Sequence, residues 1–386
     1  MNKESCSGRS WKDSKKVALS RRDSPLVVIS STTKRIGEAN RANCTMMFAL
    51  ELSSAQVPVI YVYARPKGSR EFVQYAGEYL LQLPNDLFHL WSGSIADFDS
   101  GGNKLFIASM PDAYTIPEVG LFRYHNWKVV YEVRDDWEEF HKAGVGKWYD
   151  PEYESFLCMN ADFVTTVSIT LKNKMLSMGS SPDRTYLVPN GLTRDFLENA
   201  KGSFVRRRSG YRGNGTIGYF GSLTASWFNW PLLIKVASRR KDLRFEIIGF
   251  NAPNDLEIPP NMALMGPNNH KEIIEIASKW SIGIIPHLNG KMVEGTDPIK
   301  IYEYLALGLP CVSCLMPQIK NYPMTFIYET DLKFEEVLDR ALKYTHSESE
   351  WARTEAFVVE STWEKRVKMT LSHAGIEFSK VRWIND

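Results

Sequence analysis

From Leu26 onward, short apolar runs alternate with longer stretches in which apolar and polar positions mix. "LVVIS" from Leu26, "VPVIYVYA" from Val57, "KLFIAS" from Lys104, "KVVYEV" from Lys128 and "ADFVTTVS" from Ala161 are short and rich in β-branched residues. They predict buried strands. The stretches between them, such as "NRANCTMMFALELSS" from Asn40, are long enough for helices. This alternation predicts a parallel, doubly wound sheet. A second series begins after "VPNG" at Val188, with "TIGYFG" from Thr216, "LRFEIIG" from Leu243, "NMALMG" from Asn261, "SIGIIP" from Ser281 and "PCVSC" from Pro310. Between the series, "ENAKGSFVRRRSGYRGNG" from Glu198 is rich in Gly, Ser and Arg and reads as a linker. Two α/β domains facing a cleft are expected, over residues 24–203 and 204–362, after a disordered basic N-terminus over 1–23.

A chain of 386 residues exceeds one ordinary core, which agrees with two domains. The formal charge of +2 gives no reason to expect a nucleic-acid partner. No apolar run of about 18 residues predicts a membrane span, and the polar N-terminus lacks the apolar core of a secretory signal. Five irregularly spaced cysteines point to a reducing compartment. Cys311 and Cys314 form a C-x-x-C inside a strand-like run and read as buried thiols, with no second pair to complete a zinc site.

The richest stretch is "EGTDPIKIYEYLALGLPCVSC", Glu294 to Cys314. Asp297 suits the cap of a helix, Pro298 its first position, and Gly308 and Pro310 its end. A lysine in the first turn, Lys300, opposes the helix dipole unless an anion sits there too. A helix N-terminus is where a phosphate settles readily. Lys300 then becomes its counter-charge, and Glu303, on the same face, can accept hydrogen bonds from a ribose diol. Upstream, Gly221 and Ser222 close a strand in a turn that admits close backbone approach, and His287 lies in the loop before this helix. The competing reading is an ordinary Lys300–Glu303 pair on a solvated face.

In this order, the segments over about residues 215–315 resemble the nucleotide-binding C-terminal domain of GT-B glycosyltransferases, whose two domains are Rossmann-like. The resemblance implies that Glu303 binds ribose, Lys300 the diphosphate, and that the 266–270 loop lies near the base. "STWEKRVKMT" resembles the closing helix of that fold, which crosses back to the first domain, and gives a fourth segment over 363–386. Retaining members of the large family 4 carry a glutamate eight positions before the ribose-binding one. Here that position is Gly295, with Glu294 one residue off. Their arginine and lysine after the glycine turn are also missing from "SLTASWFNWPLLIK", whose only base is Lys235. "VVISSTTKRIGEANRANCTMMFALEL" and "VVYEVRDDWEEF" resemble instead the inverting glucuronosyltransferases of xanthan synthesis. That resemblance implies Asp135 as general base, with Asp136 the adjacent competitor. Either aspartate is also a candidate helix cap before "WEEFHKAG", and clustered carboxylates can attract Mg²⁺.

Arg35, Arg41 and Asn43 are candidate contacts to acceptor or donor. The basic "YARPKGSREF" and "VRRRSGYR" read as solvated loops, with contact to anionic lipid headgroups as the alternative. The expectation is an inverting, metal-independent transferase with no cofactor beyond a nucleotide diphosphate sugar, UDP favoured over GDP. Its acceptor is a saccharide or glycolipid in surface polysaccharide synthesis. A monomer in the cytoplasm, or peripheral on the inner face of the membrane, completes it. A nucleotide-sugar 2-epimerase of the same fold and a non-catalytic binding protein are the alternatives.

Overall fold

The computed structural model describes residues 24–31, 33–37, 43–65, 74–99 and 101–377. It forms two compact units, one running to Pro189 and resuming at Trp363, the other spanning Asn190–Thr362. The expected disordered N-terminus, 1–23, lies outside the described residues.

The first unit contains β1 (Leu26–Ser30), β2 (Val59–Tyr63), β3 (Gln74–Gly77), β4 (Leu80–Pro84), β5 (Lys104–Ala108), β6 (Lys128–Val133), β7 (Phe163–Thr166) and β8 (Thr185–Leu187). Their order in the sheet is β3-β4-β2-β1-β5-β6-β7-β8. All neighbours are parallel except β3 and β4, an edge hairpin that the sequence pattern did not announce. Helices cover both faces, so the central strands are apolar throughout. On one face Val28, Phe106 and Tyr131 pack under α2 (Asn85–Ala96), α3 (Thr115–Tyr124) and α5 (Pro151–Asn160). On the other, Val27, Ile29 and Ile107 pack with Phe48 and Leu52 of α1 (Cys44–Ser54). Val367 and Leu371 of the last helix, α14 (Trp363–His373), join that same cluster. Two further helices, α4 (Trp137–Lys142) and α6 (Ile169–Ser177), follow β6 and β7.

The second unit holds β9 (Thr216–Ser222), β10 (Arg244–Phe250), β11 (Met262–Leu264), β12 (Ile282–Ile285), β13 (Cys311–Cys314) and β14 (Thr325–Tyr328). They form one parallel sheet ordered β11-β10-β9-β12-β13-β14. Its helices are α7 (Arg194–Arg208), α8 (Trp230–Arg239), α9 (His270–Ala277), α10 (Lys291–Glu294), α11 (Ile299–Ala306), α12 (Phe334–Lys343) and α13 (Glu348–Glu360). Cys311 and Cys314 are free, buried thiols of β13.

The supposed linker is mostly helix, which corrects the sequence reading. Thr193 caps α7 by accepting from the Phe196 N–H, and Phe196, Ala200, Ser203, Phe204 and Arg207 form its buried stripe. That spacing of three and four is a helical face, hidden by the Gly, Ser and Arg around it. The expected division at 203/204 therefore falls inside α7, and the chain passes between units at Pro189–Asn190 and Thr362–Trp363.

In each sheet the strand order reverses beside the first strand, at β1/β5 and at β9/β12. In open α/β sheets the crevice beyond the carboxyl ends at such a point receives ligands. Gly218, in β9, supports the second of these because the Trp280 ring lies flat against it. A Cβ there would come within 2.0 Å of that ring. Gly218→Ala is expected to destabilise the protein by about 1–3 kcal/mol or more, the cost of overpacking. Denaturant unfolding measures it, and an unchanged midpoint would mean that Trp280 does not pack there.

Candidate functional site

At the carboxyl end of β9, Gly221 adopts φ +140°. A Cβ at this position would lie 3.1 Å from Lys300 Cε and 3.1 Å from the Tyr219 hydroxyl. Glycine thus leaves the channel along which the Lys300 side chain runs. The ammonium lies 5.2 Å from the centre of the Tyr219 ring, a cation–π contact. No described carboxylate forms an ion pair with Lys300, so the solvated Lys300–Glu303 pair is not what the structure contains. Burial pulls the Lys300 ammonium down from 10.5 to about 8, against the opposing pull of Glu303. Lys300 lies in the first turn of α11, ahead of Ile301, whose N–H makes a bond back to the Pro298 carbonyl at 3.1 Å; the N–H groups before it lack an acceptor within the helix.

Glu303 is buried, and its Oε1 sits 3.9 Å from His270 Nε2. Burial raises its pKa while His270 and Lys300 lower it. His270 opens α9 directly after Asn269, which forms a capping box with Glu272, and so the start of that helix stands beside Glu303. Ser222 accepts from the Tyr219 hydroxyl through its carbonyl at 2.9 Å, and its own hydroxyl meets Thr224 at 3.1 Å. His287 follows β12 and is buried, with its ring 6.4 Å from Tyr219 and its Nε2 without a described hydrogen-bond partner. Burial and the nearby Lys300 hold its pKa well below the ordinary value.

Asp297 does not cap α11. The N-cap is Pro298, which has no side-chain cap. The Asp297 carboxylate is buried and accepts from the Asn190 N–H at 2.7 Å, the Tyr302 hydroxyl at 2.8 Å and the Tyr322 hydroxyl at 3.2 Å. Those donors, one of them 107 residues away in sequence, turn the carboxylate inward. Its work is to fix the entry into α11.

In the first unit, the segment between β6 and α4 carries Arg134, Asp135 and Asp136. Asp136 is the N-cap of α4, accepting from the Glu139 N–H at 3.2 Å, and it forms an ion pair with Lys174 of α6 at 2.5 Å. Asp135 has neither. No hydrogen bond or ion pair from a described residue reaches its carboxylate. Burial raises its pKa, Asp136 adds to the rise, and Arg134 counters it. Arg134 is buried, donates to the Thr45 hydroxyl at 3.1 Å and stands 3.9 Å from Glu132. Thr45 is hydrogen-bonded to Ser31, and Ser31 to Thr33, at 2.9 and 2.7 Å. This polar chain occupies the carboxyl ends of β1 and β6 and the start of α1. Asn43 caps that helix, accepting from the Met46 N–H at 2.9 Å. Arg35 donates to Gln74 at 2.7 Å. Arg41 lies outside the described residues.

No family model matches the chain. TuaH of Bacillus subtilis (strain 168), a glycosyltransferase of teichuronic acid biosynthesis by name, is 24% identical over 238 residues. That match covers 56% of this chain and 58% of the relative, so it spans little more than half of either. Among solved structures, sucrose-phosphate synthase (tll1590) from Thermosynechococcus elongatus superposes with a TM-score of 0.64 at 12% identity, covering 91% of this chain and 98% of its own. Anabaena Alr3699/HepE in complex with UDP and glucose gives 0.62 at 12% identity, with 90% and 99% covered. The chain has the GT-B fold.

Within this GT-B chain the structure gathers Gly221, Ser222, His287, Lys300 and Glu303 at one switch point, and sets Asp297 behind them. Sequence reasoning missed Tyr219, the ring under Lys300, and Asn190, Tyr302 and Tyr322, the donors to Asp297. It also missed Arg134 and Lys174, which divide the roles of the two aspartates. Only Arg134 had a visible signal, a lone basic residue between a strand and two acids.

The depressed pKa of Lys300 has a stability consequence with a definite sign. Between about 8 and 10.5 the unfolded chain holds the proton that the folded chain releases, so this contribution to stability rises with pH over that window. Lys300→Met is expected to stabilise the protein near neutral pH, with the gain shrinking as pH rises through the window. Paired denaturant titrations at about pH 7 and about pH 10 measure this, and a gain that does not shrink would place the ammonium in water.

Proposed function

We propose that this GT-B chain is a glycosyltransferase that moves a sugar from a uridine diphosphate sugar to a hydroxyl of a saccharide or lipid-linked saccharide. The observation that carries the reading is Lys300, a partly buried ammonium with no ion pair to a described carboxylate, beside Gly221 and one turn before the buried Glu303. A diphosphate supplies the missing anion, and a ribose diol supplies donors to Glu303. The UDP and glucose of the HepE structure favour a UDP-sugar. The name of TuaH favours a surface polymer as the product.

In the reaction we infer, the acceptor oxygen attacks the anomeric carbon as the bond from that carbon to the diphosphate breaks. The electron pair of that bond leaves with UDP, whose developing charge Lys300 and the α11 terminus stabilise. The acceptor proton passes to Asp135, whose raised pKa and unengaged carboxylate suit a general base. Asp136 does not suit this role, since it holds a cap and a lysine. Attack opposite the leaving group inverts the anomeric configuration. Because Lys300 and the helix terminus supply positive charge, the reading includes transfer without a metal ion.

Calorimetric titration with UDP, GDP, CDP and ADP, with Mg²⁺ and with chelator, tests the donor. UDP is expected to bind selectively and to survive chelation. Glu303→Ala should lose about 1.5–3 kcal/mol of that binding, the worth of charge-assisted hydrogen bonds. Binding of no diphosphate would sink the reading. Once an acceptor is in hand, Asp135→Asn should keep the affinity for UDP and lower transfer at least about tenfold. A full rate in that variant would remove Asp135 as the base, and NMR of the product's anomeric proton would report inversion or retention.

A further inference from the structure

Arg207, Arg208 and Arg212 have no part in the reading above, yet they border a cavity of about 380 Å³ in the second unit. The cavity lies where the chain enters three strands: Gly213 and Gly215 precede β9, Ser281 precedes β12 and Pro310 precedes β13. These are the amino ends of the strands, so Gly221 at the carboxyl end of β9 stands at the far edge of the same sheet. Gly308 and Pro310, the exit from α11, form part of its wall.

The cavity is lined by three arginines and a histidine, with no carboxylate among the described lining residues. Arg208 is neutralised from outside, by Glu348 and by Glu355 at 3.0 Å. Arg207 and Arg212 are not. Arg207 is only 4% exposed, and its Nη2 donates to the carbonyls of Ser278 at 3.1 Å and Trp280 at 2.5 Å. Its Nε has no hydrogen-bond partner, and burial lowers its pKa to about 10. Arg212 donates to the Tyr344 carbonyl and the Thr345 hydroxyl, both at 2.9 Å. Neutral oxygens take hydrogen bonds from both guanidinium groups; Arg212 is exposed, whereas the buried Arg207 keeps an unbonded Nε and a charge that no described carboxylate answers. His346 is buried, with neither ring nitrogen hydrogen-bonded. Buried charge without a counter-ion is costly, and a bound anion removes that cost. Arginine forks match phosphate oxygens, while Ser281, Thr345 and Tyr211 offer hydroxyls to a sugar-sized body.

We propose that this cavity binds a phosphomonoester, borne by a soluble sugar-sized metabolite or by a lipid headgroup. The test titrates the full chain with ribose 5-phosphate and, separately, with phosphatidylcholine vesicles containing phosphatidic acid. Arg212→Gln, His346→Phe and Lys300→Met are compared with the unaltered protein. His346→Phe keeps the ring contacts to Tyr344 and Trp351, at 4.9 and 5.6 Å, and removes two unbonded nitrogens, so the fold should survive it. Binding of either probe is expected, weakened about tenfold or more by Arg212→Gln and by His346→Phe and unchanged by Lys300→Met. Ribose 5-phosphate binding would assign the soluble source, and vesicle binding alone the lipid. The proposal is overturned if neither probe binds, if both cavity variants bind as the unaltered protein does, or if Lys300→Met loses the binding, which would put the probe at the α11 terminus.

Discussion

Taking an ammonium out of water without an ion pair raises free energy, and the Asn190–Thr362 unit carries that cost at Lys300, with which no described carboxylate pairs and which Glu303 attracts only at a distance. Three features act on it there. Gly221 has no side chain to block the lysine's path, and Tyr219 offers the face of its ring. The first turn of α11 adds the positive end of a helix dipole to the same spot. Gly221 leaves the room and Tyr219 attracts the cation, whereas the helix terminus opposes it and would favour the anion proposed to bind there. The proposed donor role accounts for a cost that the protein alone leaves uncompensated.

That arrangement holds only if α11 starts at a fixed place. Pro298 cannot fix it, because it carries no side-chain cap and no N–H of its own. Asp297 does so from behind, through Asn190, Tyr302 and Tyr322. Asn190 begins the unit and Tyr322 follows β13, so the entry to α11 is tied to chain segments well removed in sequence. This explains why a local reading of "TDPIK" went astray. An aspartate before a helix is a favoured cap, but here tertiary donors outcompete the local N–H groups for the carboxylate.

What was legible in the sequence was whatever depends on neighbours along the chain. The strands LVVIS, KVVYEV and TIGYFG are continuous apolar runs, since both faces of their sheets are covered. The turn at Gly221 and the Lys300–Glu303 spacing were visible for the same reason. The α7 helix was not, because its buried stripe of Phe196, Ala200, Phe204 and Arg207 is outnumbered by polar residues whose composition resembles a linker. Nor was the β3–β4 hairpin, whose pairing reverses an otherwise parallel pattern at a sheet edge.

The paired aspartates show the limit most clearly. Asp135 and Asp136 are chemically identical neighbours, and no property of the sequence orders them. The fold separates them by giving Asp136 the Glu139 N–H and the Lys174 ammonium, while leaving Asp135 half-buried without such donors among the described residues. Asp136 becomes part of the frame that holds α4 to α6. Asp135, next to that frame, keeps a carboxylate that no described residue engages, which is what favours it in the proposed role. The proposal of Asp135 rather than Asp136 as the base rests on that difference of contacts, which only the folded chain supplies.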